Sequence, residues 1–398
     1  MTIKSFMKSS ALAIMASQAL GSPIPARNGM ASMMMMPTLD LADLSVGLAY
    51  HQVNVDTGSS DLWLPRKQVD EYHDAVYTNI SGGFEITYYG GLKVEGDYVQ
   101  GPVTVGGLTA NMTYAICETD SIGFLGLGFP GLERNAWKGN NAPNDTFVFA
   151  LKNQGHINRA AFSMYAVDGI DSGVLLLGAI DHSKYTGTLK TLPIIYSETI
   201  RNSSKPIDYF IQLDSLCVGN ECVYDEPTMA LVDSGSGITL IPPGPFEKFV
   251  NLFGTNLTND ERGYMKGSCD EIRSHENETF TYRFGDYTME VPLSAFIYGD
   301  YVEGSTTCFV TVQEANNGIF SIGNQFLLYT YVYFDQEAYE LKIAPASFTS
   351  NNETDIEVVP AFTGLVDPTT QTLSYPSASA TAAAATIPTA IMTGTGCA

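Results

Sequence analysis

The chain has 398 residues, more than one hydrophobic core usually serves, so about two domains are expected. Its 43 Asp and Glu residues against 20 Lys and Arg give a net charge of −23 and a pI near 4.4. This negative surface argues against binding to nucleic acid or to anionic membranes by charge, and it fits an acidic working environment.

The first 22 residues have the composition of a secretory signal peptide. Two lysines precede a short apolar run from Ala11 to Leu20, and small residues follow it. This run is too short to span a bilayer stably. Residues 23–38 include the low-complexity run MASMMMMP, and we interpret them as a short residual pro-segment. We therefore expect export to the extracellular space, the cell wall or the cell surface.

Acceptor sites for N-glycosylation support export. The pattern Asn-x-Ser/Thr occurs seven times, at Asn79, Asn111, Asn144, Asn202, Asn256, Asn277 and Asn352. So many acceptors beside a signal peptide predict a glycosylated secreted chain.

The cysteines are then in an oxidising compartment, where they can pair. Cys217 and Cys222 flank a short VGNE turn and are predicted to form a disulfide, and Cys269 and Cys308 are the next candidates. Cys117 lies in an apolar run and is interpreted as a buried thiol, and the pairing of the sixth cysteine stays open. The scattered histidines and the cysteine spacing do not match a zinc site, so we expect no metal and no cofactor.

From Leu39 onwards the chain has the pattern of an all-β protein. Short alternating runs such as FEITYY, GVLLLGAI and TYRFGDYTMEV recur between Gly, Asn and Asp residues. Helical patterns are brief, the best being NDTFVFALKNQG and GPFEKFVNLFG. We place an N-terminal lobe at 39–192 and a C-terminal lobe at 193–347. The Ser, Thr and Ala-rich segment 348–398 is expected to be a disordered tail, with membrane attachment only through a lipid anchor.

One acidic motif appears once in each half of the chain. The run VNVDTGSSDLW places Asp56 at the end of an apolar strand, and MALVDSGSGITLIP does the same with Asp233. A single Asp-Thr-Gly is usually a turn in which the aspartate accepts from its own backbone. Two copies after matched strands indicate two related lobes that meet at a shared site.

The paired motif has a direct chemical interpretation. Two carboxylates within hydrogen-bond distance cannot both ionise at low cost, so they share a proton. One of them can then take a proton from water while the other protonates a carbonyl oxygen, and the two pKa values belong to the pair. Such a pair can direct the attack of a water molecule on a carbonyl carbon.

The sequence resembles the pepsin-like aspartic proteases, particularly the fungal secreted and cell-surface branch of candidapepsin-like and yapsin-like enzymes. The resemblance runs from about residue 39 to residue 347 and rests on VDTGSSDLW, LVDSGSG, FEITYYGG, GFLGLGFPG and FSIGNQFLLYTYVYFD. It implies a bilobal all-β fold of two β-barrel-like lobes with the active site in the cleft between them. It also implies a monomeric acid endopeptidase that acts on polypeptides.

The resemblance also assigns roles to individual positions. Asp56 and Asp233 would be the catalytic pair, with the interlocking hydroxyls of Thr57 and Ser234 beneath them. The remaining assignments are Gly58 and Gly235 facing the substrate backbone, Ser59 and Ser236 bonding the carboxylates, Tyr88, Tyr89 and Gly90 in the flap, Trp63 as the partner of Tyr88, and Gly126 and Gly323 packing beneath the two aspartates.

Several positions depart from the family pattern. The flap reads Tyr-Tyr-Gly-Gly-Leu and lacks its usual polar tip, Gly237 replaces a common hydroxyl residue, and Asn324 replaces the usual aspartate. The entrance to the first loop is about two residues short of the family pattern. These changes leave one alternative, a catalytically impaired binding protein of the same fold, such as an inhibitor or an adhesin.

Overall fold

The computed structural model describes most of the chain between residues 41 and 371 and a short N-terminal strand. The described residues are 13–15, 41–46, 49–71, 77–89, 91–137, 143–166, 173–197, 203–253, 257–260, 264–299, 305–348 and 354–371. Within them, short strands dominate, as the alternating sequence pattern predicts. They form several sheets, and in the largest of these residues 44–46 make an additional pairing with residues 103–105.

The strands of the N-terminal half are β1 Ala13–Met15, β2 Leu41–Val46, β3 Ala49–Asp56, β4 Leu62–Pro65, β5 Thr78–Thr87, β6 Lys93–Val105, β7 Leu108–Cys117, β8 Gly123–Gly126, β9 Ala161–Ala166, β10 Gly173–Leu177, β11 Ala179–Asp181 and β12 Lys190–Pro193. Those that follow are β13 Phe210–Leu213, β14 Ser215–Val218, β15 Glu221–Tyr224, β16 Thr228–Val232, β17 Thr239–Ile241, β18 Thr258–Asn259, β19 Met265–Ser268, β20 Thr279–Phe284, β21 Tyr287–Pro292, β22 Ile297–Gly299, β23 Thr307–Val310, β24 Val312–Glu314, β25 Phe320–Ile322, β26 Thr330–Asp335, β27 Glu340–Pro345 and β28 Ile356–Val358.

The helices are short. They are α1 Arg66–Glu71, α2 Arg134–Trp137, α3 Phe147–Asn153, α4 Pro243–Leu252, α5 Cys269–Arg273 and α6 Asn324–Tyr329, with 3-10 turns at Pro130–Leu132, His182–Lys184, Leu293–Phe296 and Pro368–Thr370. Helices α3 and α4 lie in the two segments whose sequence predicts helices.

The N-terminal half forms a seven-stranded sheet in the order β2-β3-β8-β4-β7-β6-β5. Its strands form because apolar and polar residues alternate: in β6, Val103 and Val105 are fully buried while Thr104 between them is partly exposed. Strand β3 pairs antiparallel with β2 and parallel with β8. This places Asp56 at the end of a strand that is paired on both sides.

The C-terminal half repeats this arrangement in a five-stranded sheet with the order β13-β16-β25-β17-β24. Strand β16 pairs antiparallel with β13 and parallel with β25, as β3 does with β2 and β8. Two four-stranded sheets, β15-β14-β20-β21 and β18-β19-β23-β22, complete this half. The second aspartate therefore follows a strand in the same sheet position as the first.

A six-stranded sheet joins the two halves, in the order β1-β10-β9-β26-β27-β12. Strands β26 and β27 come from the predicted C-terminal lobe, yet β26 pairs with β9 of the predicted N-terminal lobe. Strand β1 lies within residues 1–22. The interpretation of these residues as a signal peptide stays a prediction. The shared sheet shows that a division at residue 192 does not separate the strands cleanly.

Both predicted disulfides are confirmed. Cys217 and Cys222 are joined with an S–S distance of 2.00 Å, and Cys269 and Cys308 with 2.06 Å. Cys117 at the end of β7 is a fully buried thiol, as its apolar surroundings predict. Cys397 lies outside the described residues.

The structure differs from the expectation of a disordered tail that begins at residue 348. Residues 354–371 pack on the body of the protein: β28 pairs with β11, and Val359 is buried against Tyr331 and Tyr333. The guanidinium of Arg159 stacks 4.6 Å from the ring centre of Phe362. A few apolar and aromatic residues among polar neighbours are enough to attach this segment. The prediction of disorder considered only the overall composition and therefore missed these residues.

Candidate active site

Two loops of similar sequence follow matched strands in the two halves. Asp56 is the last residue of β3, and Asp233 directly follows β16. The N–H of Leu127 donates to the carbonyl of Asp56 at 2.8 Å, and the N–H of Asp233 donates to the carbonyl of Ile322 at 3.0 Å. Both aspartates are therefore held on a backbone that is bonded to the neighbouring strand.

Beneath the aspartates, Thr57 and Ser234 link the two loops by four hydrogen bonds. The hydroxyl of Thr57 donates to the carbonyl of Val232 at 2.8 Å, and the hydroxyl of Ser234 donates to the carbonyl of Val55 at 2.7 Å. Each hydroxyl also accepts from the backbone N–H of the other residue, at 2.9 and 3.0 Å. Because both side chains are fully buried, these bonds fix the distance between the loops.

The two carboxyl groups lie next to each other above this link, and each affects the pKa of the other. Each packs against the glycine of the opposite loop. A Cβ atom added to Gly58 would lie 2.5 Å from Oδ1 of Asp233, and one added to Gly235 would collide with Oδ1 of Asp56. Only glycine allows this approach, so the structure brings together the pair that the repeated motif predicts.

Burial raises the pKa of both carboxyl groups. For Asp56, which is 3% exposed, desolvation raises the pKa while hydrogen bonds from Ser59 and Gly58 oppose the rise. For Asp233, desolvation and the charge of Asp56 raise the pKa well above its ordinary value, and a bond from Gly235 opposes them. The pair therefore favours an ionised Asp56 beside a protonated Asp233.

The hydroxyls three residues after the aspartates behave differently. Ser59 donates to Oδ2 of Asp56, as the resemblance implies. Ser236 instead donates to the carbonyl of Ile238 at 2.8 Å and accepts from the N–H of the same residue at 3.5 Å, so the expected bond to Asp233 is not seen. Serine commonly makes such local bonds to the backbone two residues ahead.

The flap tyrosine lies over the first aspartate. Nε1 of Trp63 donates to the hydroxyl of Tyr88 at 2.7 Å, and that hydroxyl is also hydrogen-bonded to Ser59. The ring of Tyr88 stacks on Phe124 with 4.8 Å between the ring centres. Burial and the charge of Asp56 raise the pKa of Tyr88 well above its ordinary value. A neutral Tyr88 is thus connected to Asp56 through one serine.

This geometry agrees with the comparison to known families. Residues 41–346 match the model of the eukaryotic aspartyl protease family. The chain belongs to the eukaryotic aspartyl protease family. It is accordingly an aspartic-type hydrolase with a largely β fold.

Fungal aspartic proteases are similar over most of the chain. An acid protease of Saccharomycopsis fibuligera is 30% identical over 75% of this chain and 77% of its own length. The aspartic proteinase yapsin-3 of Saccharomyces cerevisiae is 28% identical over 80% of this chain and 68% of its own length. Secreted aspartic protease 5 of Candida albicans is 28% identical over 78% of this chain and 77% of its own length. These relatives support the secreted and cell-surface branch named from the motifs.

The second flap tyrosine of this protease points away from the first. Tyr89 is 47% exposed, and its hydroxyl reaches across the cleft to the backbone of Glu314 and Asn316. Tyr88 and Tyr89 lie in the turn that follows β5, where Tyr88 contacts Trp63 and Phe124 while Tyr89 contacts the C-terminal half, so the two tyrosines have different roles. Gly90, predicted as part of the flap, lies outside the described residues.

Sequence reasoning missed the group that holds the base of the flap. Nε of Arg134 donates to the carbonyl of Glu85 in β5 at 2.7 Å, and the N–H of Arg134 donates to the buried carboxylate of Asp61 at 3.0 Å. Asp61 stands two residues after Ser59 in the first motif. An acidic residue at this position was the one feature of the sequence that indicated such a contact. Arg134 thus connects β5, the strand that leads to Tyr88, with the loop that carries Asp56.

Two glycines pack beneath the loops, as the resemblance implies. A Cβ atom at Gly126 would collide with the backbone of Ser60 and Asp61, and one at Gly323 would collide with the carbonyl of Ile238. Asn324, which stands where the family usually has aspartate, is fully buried, and its N–H donates to the carbonyl of Ser236 at 2.9 Å. The substituted residue keeps its backbone contact to the second loop.

The predicted glycosylation sites differ in accessibility. Asn79, Asn111 and Asn277 are exposed. Asn144 is partly buried and its Nδ2 donates to the carboxylate of Glu133 at 2.5 Å. Asn202, Asn256 and Asn352 lie outside the described residues.

Neither a metal cluster nor a membrane helix occurs in the described part of the protease. No group of three or more His, Cys, Asp and Glu side chains there could hold a metal ion. No helix among the same residues is long and apolar enough to cross a bilayer.

Proposed function

We propose that the protein is a secreted aspartic endopeptidase that hydrolyses peptide bonds at acidic pH with a water molecule activated between Asp56 and Asp233. The contact between these two carboxyl groups supports this role most strongly. They come from separate halves of the chain, each has a raised pKa, and the hydrogen-bonded link of Thr57 and Ser234 holds them together.

The difference between the two carboxyl groups assigns their roles. Ionised Asp56 takes a proton from the water, whose oxygen forms a bond to the carbonyl carbon of the substrate. Asp233 gives its proton to the carbonyl oxygen, which yields a neutral tetrahedral diol. The C–N bond then breaks as the proton on Asp56 passes to the leaving nitrogen and Asp233 recovers its proton from a hydroxyl. Both groups return to their starting states.

The flap contributes by excluding water and by positioning Asp56. Tyr88 is bonded to Trp63 and Ser59 and is stacked on Phe124, so its hydroxyl stays near the catalytic pair. The Ser59 hydroxyl, oriented by Tyr88, stabilises the ionised form of Asp56. The departures at the flap tip leave this part of the site intact.

The substrate we propose is a polypeptide in an extended conformation, bound by a monomeric enzyme without metal or nucleic acid. The cleft has walls from β-sheets of both halves, and such walls bind extended chains by backbone hydrogen bonds. Secretion is supported by the relatives named as secreted proteases, the two disulfides, the exposed acceptor asparagines and the apolar N-terminal run. A protein that acts in the cytosol would not need disulfides, glycosylation acceptors or a signal peptide.

The alternative of an impaired binding protein is weaker. It requires a disrupted catalytic pair, whereas both aspartates, the Thr57–Ser234 link and the Tyr88–Trp63 bond are present. The departures from the family pattern, at the flap tip, in the second loop and at the entrance to the first loop, leave these contacts in place.

Digestion of an unfolded protein at acidic and neutral pH tests the proposal. The parent should cleave at acidic pH, bind a pepstatin-like mimic and lose activity as the shared proton dissociates. Asp56→Asn and Asp233→Asn should each lower kcat/KM about 1000-fold or more because one proton-transfer group is lost. Asp120→Asn, the same change at an exposed site, is the control. Cleavage at the parental rate by either catalytic variant would refute the assignment.

A further inference from the structure

In the C-terminal half, one strand edge on the cleft has no neighbouring strand among the described residues. Strand β24 is the last strand in its sheet and is paired with β17 on one side. The N–H of Ala315, just beyond β24, donates to the carbonyl of Ile241 at 2.8 Å. Because backbone groups alternate along a strand, the carbonyl of Glu314 and the N–H of Asn316 face the other way, out of the sheet. Such an edge can accept another strand.

The equivalent edge in the N-terminal half is already occupied. Strand β4 pairs in parallel with β7, as β17 does with β24, and β4 pairs with β8 as β17 does with β25. When the two sheets are aligned by these pairings, Ile116 corresponds to Glu314 and Glu118 corresponds to Asn316. Strand β6 covers this first edge: Ile116 pairs with Asp97, and the N–H of Glu118 donates to a β6 carbonyl at 2.9 Å. The edge of β7 therefore has a neighbouring strand, whereas the equivalent edge of β24 has none among the described residues.

A single hydroxyl fills the corresponding place on β24. Tyr89 donates to the carbonyl of Glu314 at 3.3 Å and accepts from the N–H of Asn316 at 3.2 Å. One donor and one acceptor are the groups that a strand residue offers to an edge. The hydroxyl shows that a group entering from the cleft reaches both atoms at once.

The residues at this edge pack against the segment that follows the Asp233 loop. Ala315 is fully buried and packs against Ile238 and Leu240, which follow the second catalytic loop. The N–H of Gly318 closes a turn on the carbonyl of Ala315 at 2.9 Å. The two outward-facing groups are thus held in place before any ligand arrives.

We propose that the carbonyl of Glu314 and the N–H of Asn316 form a binding site for the backbone of an extended polypeptide substrate, and that Tyr89 occupies this site until the substrate displaces it. The inference rests on the proposed peptidase function. It assigns Tyr89 as a positioning residue that competes with substrate for the edge of β24. The apparent substrate affinity is then the intrinsic affinity multiplied by the fraction of molecules in which the edge is free of Tyr89.

Tyr89→Phe tests this competition, because it removes the hydroxyl and keeps the ring. The matched control is Tyr196→Phe, which removes an exposed hydroxyl that donates to the carbonyl of Thr369. Two hydrogen bonds between neutral groups at a partly exposed site should change the equilibrium about five-fold. We expect Tyr89→Phe to raise kcat/KM for an unfolded polypeptide about five-fold without changing kcat, and the control to match the parent.

Hydrogen exchange at the Asn316 amide gives a second measurement that needs no activity. Without ligand, exchange should be about five-fold faster in Tyr89→Phe than in the parent or in Tyr196→Phe. Adding an inhibitor with a statine unit and four residues on each side should protect this amide in Tyr89→Phe.

Three results would overturn the proposal: unchanged exchange in the Tyr89→Phe variant, an Asn316 amide left unprotected by the extended inhibitor, or a kcat/KM at or below the parental value. An inactive parent would instead refute the peptidase function, while exchange without ligand would still show whether Tyr89 covers Asn316. The two failures are therefore distinguishable.

Discussion

The two catalytic loops are alike below the aspartates and different above them. Below, Thr57 and Ser234 make matching bonds to the opposite loop. Above, Ser59 bonds Asp56, while Ser236 turns to the backbone of Ile238. A repeated motif thus gives one shared scaffold and two different acids. The unequal hydrogen bonding separates the proton donor from the proton acceptor.

After the aspartates themselves, the two glycines that let the carboxyl groups meet should give the largest effect. In Gly58→Ala and in Gly235→Ala, the new methyl group displaces the carboxylate of the opposite loop, so kcat should fall about 100-fold or more. Gly244→Ala is the control, since a Cβ atom there meets no other atom within 4 Å. Steady-state kinetics on one peptide would measure all three. Parental kcat in either loop variant would show that the pair is not in this close contact.

The serines should sharpen the contrast between the loops. Ser59→Ala removes a hydrogen bond to a charged group, so kcat/KM should fall by about ten-fold to 100-fold. It should also raise the pKa of the acidic limb of the pH profile, because Ser59 favours the ionised form of Asp56. Ser236→Ala should stay within about two-fold of the parent, since its bonds are local. Equal losses in the two variants would mean that both serines serve the carboxylates.

The link beneath the aspartates should respond symmetrically. Thr57→Val and Ser234→Ala each remove two buried hydrogen bonds and leave backbone groups unpaired. Each should lower the free energy of unfolding by about 1–3 kcal/mol in denaturant titration. Ser236→Ala should change it much less. A large difference between Thr57→Val and Ser234→Ala would contradict the matched geometry.

The smallest effect concerns stability and pH. The folded pKa of Asp233 lies above its ordinary value of 3.8. The stabilisation from its bound proton is therefore fully present below about pH 3.8 and is lost as pH rises through the folded pKa. Asp233→Asn removes this loss, so its Tm should exceed the parental Tm at pH 7 and approach it at pH 3. Asp56→Asn should show the same trend more weakly. A constant Tm difference across this range would exclude a raised pKa.

The strands and loops that carry the two aspartates could be predicted from the sequence because they depend on residues that are close together in the chain. Apolar alternation before Asp56 and Asp233 predicts the strands, and the repeated Asp-hydroxyl-Gly unit predicts that two loops meet. The disulfide of Cys217 and Cys222 was predicted because the two cysteines are five positions apart, on either side of a short turn. Each of these features is specified by neighbours in the chain.

Features that depend on distant packing were missed. The local bonds of Ser236 cannot be distinguished from a bond to Asp233 by a motif that both loops share. Three other features join segments that are far apart in sequence. They are the hydrogen bond from Arg134 to Glu85, the hydrogen bond from Tyr89 to Glu314, and the pairing of β26 with β9 in the shared sheet. Residues 354–371 were judged by composition, although a few apolar contacts suffice to attach them.

A crystal structure of the protein at acidic pH with a pepstatin-like mimic tests the central claim most directly. We expect the hydroxyl of the mimic to lie between the carboxyl groups of Asp56 and Asp233, within hydrogen-bond distance of both, with Ser59 bonded to Asp56 and Ser236 turned away. Carboxyl groups that are separated, or a mimic bound away from them, would contradict the proposed function.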